Sequence, residues 1–181
     1  MASVISAGTT AGTAIAIAGD TSGNLEFKTQ AGTYTQTVPN ATGTVMVSGN
    51  QPAFSAYTNT TQALTPATTV KINFQAEIFD TNSNFASSRF TPTIAGYYQL
   101  TCALNFSAAT FTDLYIYKNG SLYQAIFGNY ASASYYAFGT SLIYLNGTTD
   151  YAEIYIYQSG TVNVNSSQTA CWFSGVMVRS A

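Results

Sequence analysis

Histidine is absent from the 181 residues. That removes the commonest general base and the commonest zinc ligand together. Charge is scarce as well: Lys and Arg total 5, Asp and Glu total 7, and the net charge is −2. Only 7% of residues are charged, against a usual ~25%. So few basic residues exclude a nucleic-acid-binding surface built on Lys and Arg. Cysteine occurs only as Cys102 and Cys171, too few for a metal site of their own or a dense disulfide framework. Both lie in apolar, strand-like runs and read as buried free thiols; their spacing does not decide whether they are bridged. Long hydrophobic runs are missing: the small-residue stretch Ala11–Gly19 falls far below the ~20 residues of a membrane span. Met1–Thr10 carry neither the basic region nor the apolar core of a signal peptide. The reading is synthesis in a cytoplasm, with no membrane partner and no export route of its own.

What is present is apolar and aromatic. Hydrophobic residues make up 46% of the chain and Tyr alone occurs 14 times, enough for a packed core. Thr, Ser, Asn, Gly and Tyr suit strands and turns rather than helices. Alternating runs separated by Gly, Asn, Pro and Ser clusters read as an all-β sandwich or barrel. Two Asn-Gly steps read as hairpin turns. Asn119-Gly120 follows Asp113–Lys118 and returns through Ser121–Phe127, and Asn-Gly supplies the positive φ angles of a type I′ turn. Asn146-Gly147 stands between Ser141–Leu145 and Tyr151–Tyr157.

The chain divides near residue 50. Residues 1–50 are small and polar, with strands expected at Thr13–Ala18, Leu25–Thr29, Tyr34–Val38 and Thr44–Val47. So little bulky apolar surface does not hold a fold alone, so this segment reads as a β-rich anchor ordered by association. Residues 51–181 read as the globular domain. Several of its strands are apolar on both faces. Leu114 and Ile116 alternate with Tyr115 and Tyr117; Ala152, Ile154 and Ile156 alternate with Tyr151, Tyr155 and Tyr157. A two-layer sandwich needs one apolar face per strand, and Tyr is enriched at interfaces. Tyr115, Tyr117, Tyr155 and Tyr157 are therefore the expected interior of an oligomer.

No catalytic, cofactor or metal site is expected. A Ser or Cys nucleophile lacks a His base. Glycoside hydrolysis needs two carboxylates about 5–9.5 Å apart, whereas Asp80, Asp113, Asp150 and Glu153 are scattered. Asp150 and Glu153 are close in sequence, but three positions along a strand point opposite ways. Phosphate-cradling glycine loops are absent. The sequons at Asn40, Asn59, Asn105, Asn119, Asn146 and Asn165 are expected by chance in a Thr- and Ser-rich chain and read as unmodified. Tyr130, Tyr135 and Tyr136 are candidate glycan contacts; the favoured reading, however, packs Tyr135, Tyr136 and Phe138 inside as part of a strand.

Between residues 52 and 181 a set of segments recurs in a familiar order. It begins with Pro52-Ala-Phe-Ser-Ala-Tyr57, Val70-Lys-Ile-Asn-Phe74, Ile78-Phe-Asp-Thr-Asn82 and Asn84-Phe85. It continues with Arg89-Phe-Thr-Pro-Thr-Ile-Ala-Gly-Tyr-Tyr98, Lys118-Asn-Gly120, Ser141-Leu-Ile-Tyr-Leu-Asn-Gly147 and Trp172-Phe-Ser-Gly-Val-Met-Val178. This set resembles the globular head of complement component q, in the tumour-necrosis-factor-like superfamily. The resemblance implies a ten-strand jelly roll that forms tight trimers with an apolar, aromatic axis. It maps family strands onto Phe54–Tyr57, Phe90–Tyr98 and Phe173–Val178, with Phe54, Tyr57, Phe90, Gly96, Tyr97, Tyr98, Phe173 and Gly175 as the motif core. There are departures. The turn after Leu145 is longer than the family's, Ala86 replaces a common Asp, and the collagen stalk is missing. No acidic cluster matches the calcium site of some relatives.

Asp20–Thr29 and Val38–Val47 resemble stretches of tailed-phage fibre and virion surface proteins. Together with the head-like domain they imply a homotrimeric virion protein. Residues 1–50 would then grip the major capsid protein or a tail component. Capsid decoration is the first expectation; a short tail fibre recognising host surface glycans is the alternative.

Overall fold

The computed structural model describes residues 25–28, 35–38, 51–128 and 134–181. The strands expected at Thr13–Ala18 and Thr44–Val47, and Tyr130, lie outside the described residues. The chain divides into two units, Met1–Gly43 and Thr44–Ala181. In the first, β1 (Leu25–Lys28) and β2 (Thr35–Val38) pair antiparallel, Leu25 opposite Val38 and Lys28 opposite Thr35.

The second unit contains no helix among its described residues. Its strands are β3 (Ala53–Thr58), β4 (Gln62–Ala63), β5 (Thr68–Lys71), β6 (Ala76–Asp80), β7 (Phe85–Ala86) and β8 (Arg89–Phe90). They continue with β9 (Gly96–Thr110), β10 (Thr112–Lys118), β11 (Ser121–Gly128), β12 (Ser134–Leu145), β13 (Ala152–Gln158), β14 (Asn163–Val164) and β15 (Ser167–Ser180). One sheet runs β11-β10-β13-β8-β7, with β5 also pairing β13. The other runs β4-β14-β9-β15-β3-β6, with β12 pairing the free side of β9. All pairings are antiparallel. The result is a two-sheet jelly roll.

Period-two alternation drives this packing. In β9 the side chains of Tyr98, Leu100, Cys102, Leu104 and Phe106 are buried, and they meet Leu114 and Ile116 of β10 and Ile154 and Ile156 of β13 in one core. Phe54 is its hub. Its ring stacks on Phe85 at 4.8 Å and Phe90 at 4.5 Å and meets Phe173 edge-on at 4.9 Å. Gly175 makes this possible: a Cβ there would lie 2.6 Å from the Phe54 ring and 2.5 Å from Leu100. Tyr98 is fully buried, and its hydroxyl donates to the Ile94 carbonyl at 2.6 Å. Burial pushes its pKa well up. Both cysteines are buried and free, and burial raises both thiols.

The Asn119-Gly120 turn forms as expected: φ is 53° and 78° at the two residues, and β10 and β11 pair on either side. The second Asn-Gly step is not a hairpin. β12 pairs with β9 in one sheet and β13 with β10 in the other, so residues 146–151 cross between layers. Asn146 organises this crossing by accepting the N–H groups of Thr148, Thr149 and Asp150 on its Oδ1, a local alternative to ladder bonding. Phe90–Tyr98 is likewise not one strand. Phe90 ends β8 in the first sheet, and Tyr97 and Tyr98 sit at the start of β9 in the second. Pro92, which has no N–H to give a ladder, stands in the break.

Candidate interaction surface

A two-layer sandwich has two outward faces, and here they differ in chemistry. On the β10–β13 sheet, register places Tyr115 opposite Tyr155, Tyr117 opposite Glu153, and Asp113 opposite Tyr157. The four tyrosines expected at a subunit interface are thus brought onto one face. Tyr117 stacks on Tyr155 with centroids 4.0 Å apart, and Tyr115 lies 6.4 Å from Tyr117. The Tyr115 hydroxyl donates to Asp113 at 3.2 Å. All four rings are half-buried within the protomer.

Glu153 anchors this face. Its carboxylate is buried and takes Lys71 Nζ at 2.6 Å and Arg89 Nε at 2.9 Å. Arg89 also lies 3.7 Å over the Tyr151 ring. Burial alone would raise the Glu153 pKa, but the hydrogen bonds from Lys71 and Arg89 outweigh it and hold the carboxyl below its usual range. Asp150 is held low too, chiefly by its hydrogen bond to Lys118 and then by Asn119. Both carboxylates are therefore structural anchors in separate clusters. A group with a depressed folded pKa stabilises fully above its unfolded pKa and stops doing so as pH falls through the folded value. Urea midpoints should accordingly be flat near neutrality and drop below about pH 4. Glu153→Gln should shallow that drop; an unchanged acid profile would remove Glu153 from the account.

The other face is nearly free of charge. Register across β12, β9, β15, β3 and β6 generates straight rows. One is Tyr144–Tyr97–Arg179. The next is Leu142–Gln99–Val176–Ala53. Then come Thr140–Thr101–Ser174–Ser55–Phe79 and Phe138–Ala103–Trp172–Tyr57–Ala76. Arg179, at one end, is the single charged side chain in these rows. Large apolar groups stand in water: Phe138 is 64% exposed, Leu142 55% and Val178 50%. The hydroxyls of the middle row partly satisfy each other, Thr101 and Thr140 lying 3.0 Å apart. Two shallow hollows indent the face. One of about 590 Å³ is lined by Tyr97, Leu142, Val178 and Arg179, and one of about 650 Å³ by Gln99, Gln124 and Thr140. Exposed apolar groups gathered on one nearly uncharged face make it the candidate interaction surface.

One expectation is corrected here. Tyr135, Tyr136 and Phe138 do belong to a strand, β12, but they do not pack inside; Tyr135 and Tyr136 are 54% and 53% exposed. Alternation buries Ala137 between them instead. Within the motif core, Phe54, Phe90, Gly96, Tyr98, Phe173 and Gly175 are buried, but Tyr97 points outward beside Tyr144 and Tyr57 is only half-buried. Consecutive strand residues take opposite faces, so Tyr97 and Tyr98 do not share the core. The exposed apolar surface also lies across the sandwich from the tyrosine set. The sequence carried a signal for it: β12 is apolar at both parities, with Ala137, Ile143 and Leu145 inside and Phe138, Leu142 and Tyr144 outside.

Neither a family model nor a curated protein sequence matches the chain. Solved structures do. The globular domain of zebrafish complement 1qA covers 73% of this chain and 100% of its own, at 16% identity and a TM-score of 0.52. Murine APRIL covers 71% of this chain and 100% of its own, at 12% identity and a TM-score of 0.52. The Eiger TNF of S. frugiperda covers 72% of this chain and 94% of its own, at 9% identity and a TM-score of 0.53. At such identities the likeness is one of fold: the complement-q and TNF-like jelly roll.

Proposed function

We propose that the chain is a non-catalytic, homotrimeric virion surface protein that assembles through the outward face of β12, β9, β15 and β3. The observation that carries the trimer is the row of apolar and hydroxyl side chains on that face, interrupted by no charge before Arg179. The opposite face supports this choice, because there Glu153 already holds Lys71 and Arg89, Tyr117 stacks on Tyr155, and Tyr115 bonds Asp113. A closed threefold assembly buries such a face in every copy and leaves none exposed. In this reading residues 1–50 attach the trimer to a capsid neighbour and the jelly roll projects outward. The phage-like stretches Asp20–Thr29 and Val38–Val47 support the virion setting. Asp150 and Glu153, the two carboxylates close in sequence, are each committed to a cation, which favours a structural role for both.

Light scattering on the purified chain tests the assembly. The expected mass is three times the 19.2 kDa of one chain, holding at micromolar protomer; a monomer at that concentration overturns the trimer. A second reading keeps the trimer and places it at a tail tip, where the exposed rings of Tyr135 and Tyr136 favour glycan stacking. Copy number separates the two. Quantitative mass spectrometry of virions gives hundreds of copies for capsid decoration and a few trimers for a tail tip. Absence from particles overturns both.

A further inference from the structure

Asn-Gly is the dipeptide most prone to deamidation, because glycine leaves its own nitrogen unshielded. The Gly nitrogen attacks the Asn Cγ, the new C–N bond closes a succinimide, and the Cγ–Nδ2 bond breaks to release ammonia. Water then opens the ring to aspartate or isoaspartate. The attack requires the Asn side chain to swing back over the following peptide. The structure assigns Asn119-Gly120 as a latent deamidation site held closed by Asp150 and by the backbone N–H of Tyr151.

Both polar atoms of the Asn119 amide are committed to groups more than thirty residues away. Nδ2 donates to Asp150 Oδ1 at 2.7 Å, and Oδ1 accepts the Tyr151 N–H at 2.9 Å. The backbone is tied at the same place, the Asn119 N–H donating to the Tyr151 carbonyl at 3.1 Å. Cγ therefore cannot rotate toward the Gly120 nitrogen until two hydrogen bonds break, one of them to a charged acceptor. Asp150 is itself fixed. Its Oδ2 takes Lys118 Nζ at 2.8 Å and the Asn146 N–H at 3.1 Å. The carboxylate thus ties the β10–β11 turn to the 146–151 crossing, and Asn119 is the link between them.

The same geometry says what closure protects. Conversion of Asn119 to aspartate replaces a donor, 2.7 Å from Asp150, with a second carboxylate. Lys118, already paired with Asp150 at 2.8 Å, would then face two carboxylates. Repulsion would part the turn from the crossing, and the change is irreversible. A protein that persists outside a cell without replacement gains most from this closure, but the inference itself does not depend on the proposed virion role.

The test follows the acid-converted peptide containing residue 119 by mass spectrometry, using the full-length chain at mildly alkaline pH. Native wild type should convert at least about tenfold more slowly than the same chain in urea, the effect expected of one charge-assisted hydrogen bond. Native Asp150→Ala should lose most of that protection, and Asp150→Asn, which keeps an acceptor without the charge, should fall between. Folding of each variant is checked by circular dichroism. Equal rates in native and unfolded wild type overturn the proposal without any variant. A folded Asp150→Ala chain as slow as wild type overturns the role of the carboxylate. Asn119→Asp, the product mimic, should lower Tm; an unchanged Tm overturns the consequence drawn for the turn pair.

Discussion

Leu142→Asp is expected to convert the proposed trimer to a monomer while leaving the protomer folded. Leu142 points away from the core, so the substitution removes nothing that packs inside. In the assembly it sets a carboxylate in a row otherwise formed by Gln99, Val176 and Ala53. The row itself holds no cation, although Arg179 lines the hollow beside Leu142 at the edge of the face; a buried charge left without a partner costs about 3–5 kcal/mol. That is roughly two to three orders of magnitude in a dissociation constant. Light scattering should report the chain mass, and far-UV circular dichroism should stay unchanged. Tyr155→Asp is the comparison. It places a charge on the opposite face near Glu153 and should weaken folding through repulsion while the protein that does fold stays trimeric. If Tyr155→Asp gives folded monomers and Leu142→Asp gives trimers, the interface lies on the tyrosine face after all.

The largest effect on folding is expected from Phe54→Ala. The ring is 1% exposed and contacts three other aromatic rings, joining β3 of one sheet to Phe85 and Phe90 of the other. Truncating a fully buried Phe costs about 3–5 kcal/mol, the spread reflecting how far the site collapses. For a chain of this size that is a Tm loss on the order of 10 °C. Scans of wild type and variant should use the same protomer concentration, because association adds to apparent stability by mass action. Gly175→Ala probes the same contact from the other side. Its new Cβ would press on the Phe54 and Leu100 side chains, and overpacking of this kind costs about 1–3 kcal/mol. If Phe54→Ala shifts Tm by only a degree or two, Phe54 is not the hub.

Much of the core was legible because strand alternation is a local property. Leu114, Ile116, Ile154 and Ile156 are buried where period two puts them, and the Asn119-Gly120 turn follows from the positive φ that Asn and Gly tolerate. The Asn146-Gly147 step misled for a physical reason. The dipeptide specifies a chain reversal but not which sheet the outgoing strand joins. Here Asp150, Lys118 and Asn119 hold the crossing to the neighbouring turn, and those contacts join residues about thirty positions apart. Tyr135, Tyr136 and Phe138 misled because an aromatic run in a strand normally packs against something of its own protomer.

By itself the sequence determined the material of this protein. It set an all-β sandwich or barrel, a core of alternating aliphatics and Phe, a chain without histidine, and a surface with few charges; the jelly roll itself was what the family resemblance implied. These follow from composition and from periodicities spanning a few residues. Only the tertiary structure decided which of two apolar-looking faces is already satisfied. The tyrosine strands and β12 read alike along the chain, since each is apolar at both parities. Register then brings Glu153, Lys71 and Arg89 together on one face and sets Phe138, Leu142 and Val178 outward on the other, because cross-strand neighbours are set by pairing between distant segments.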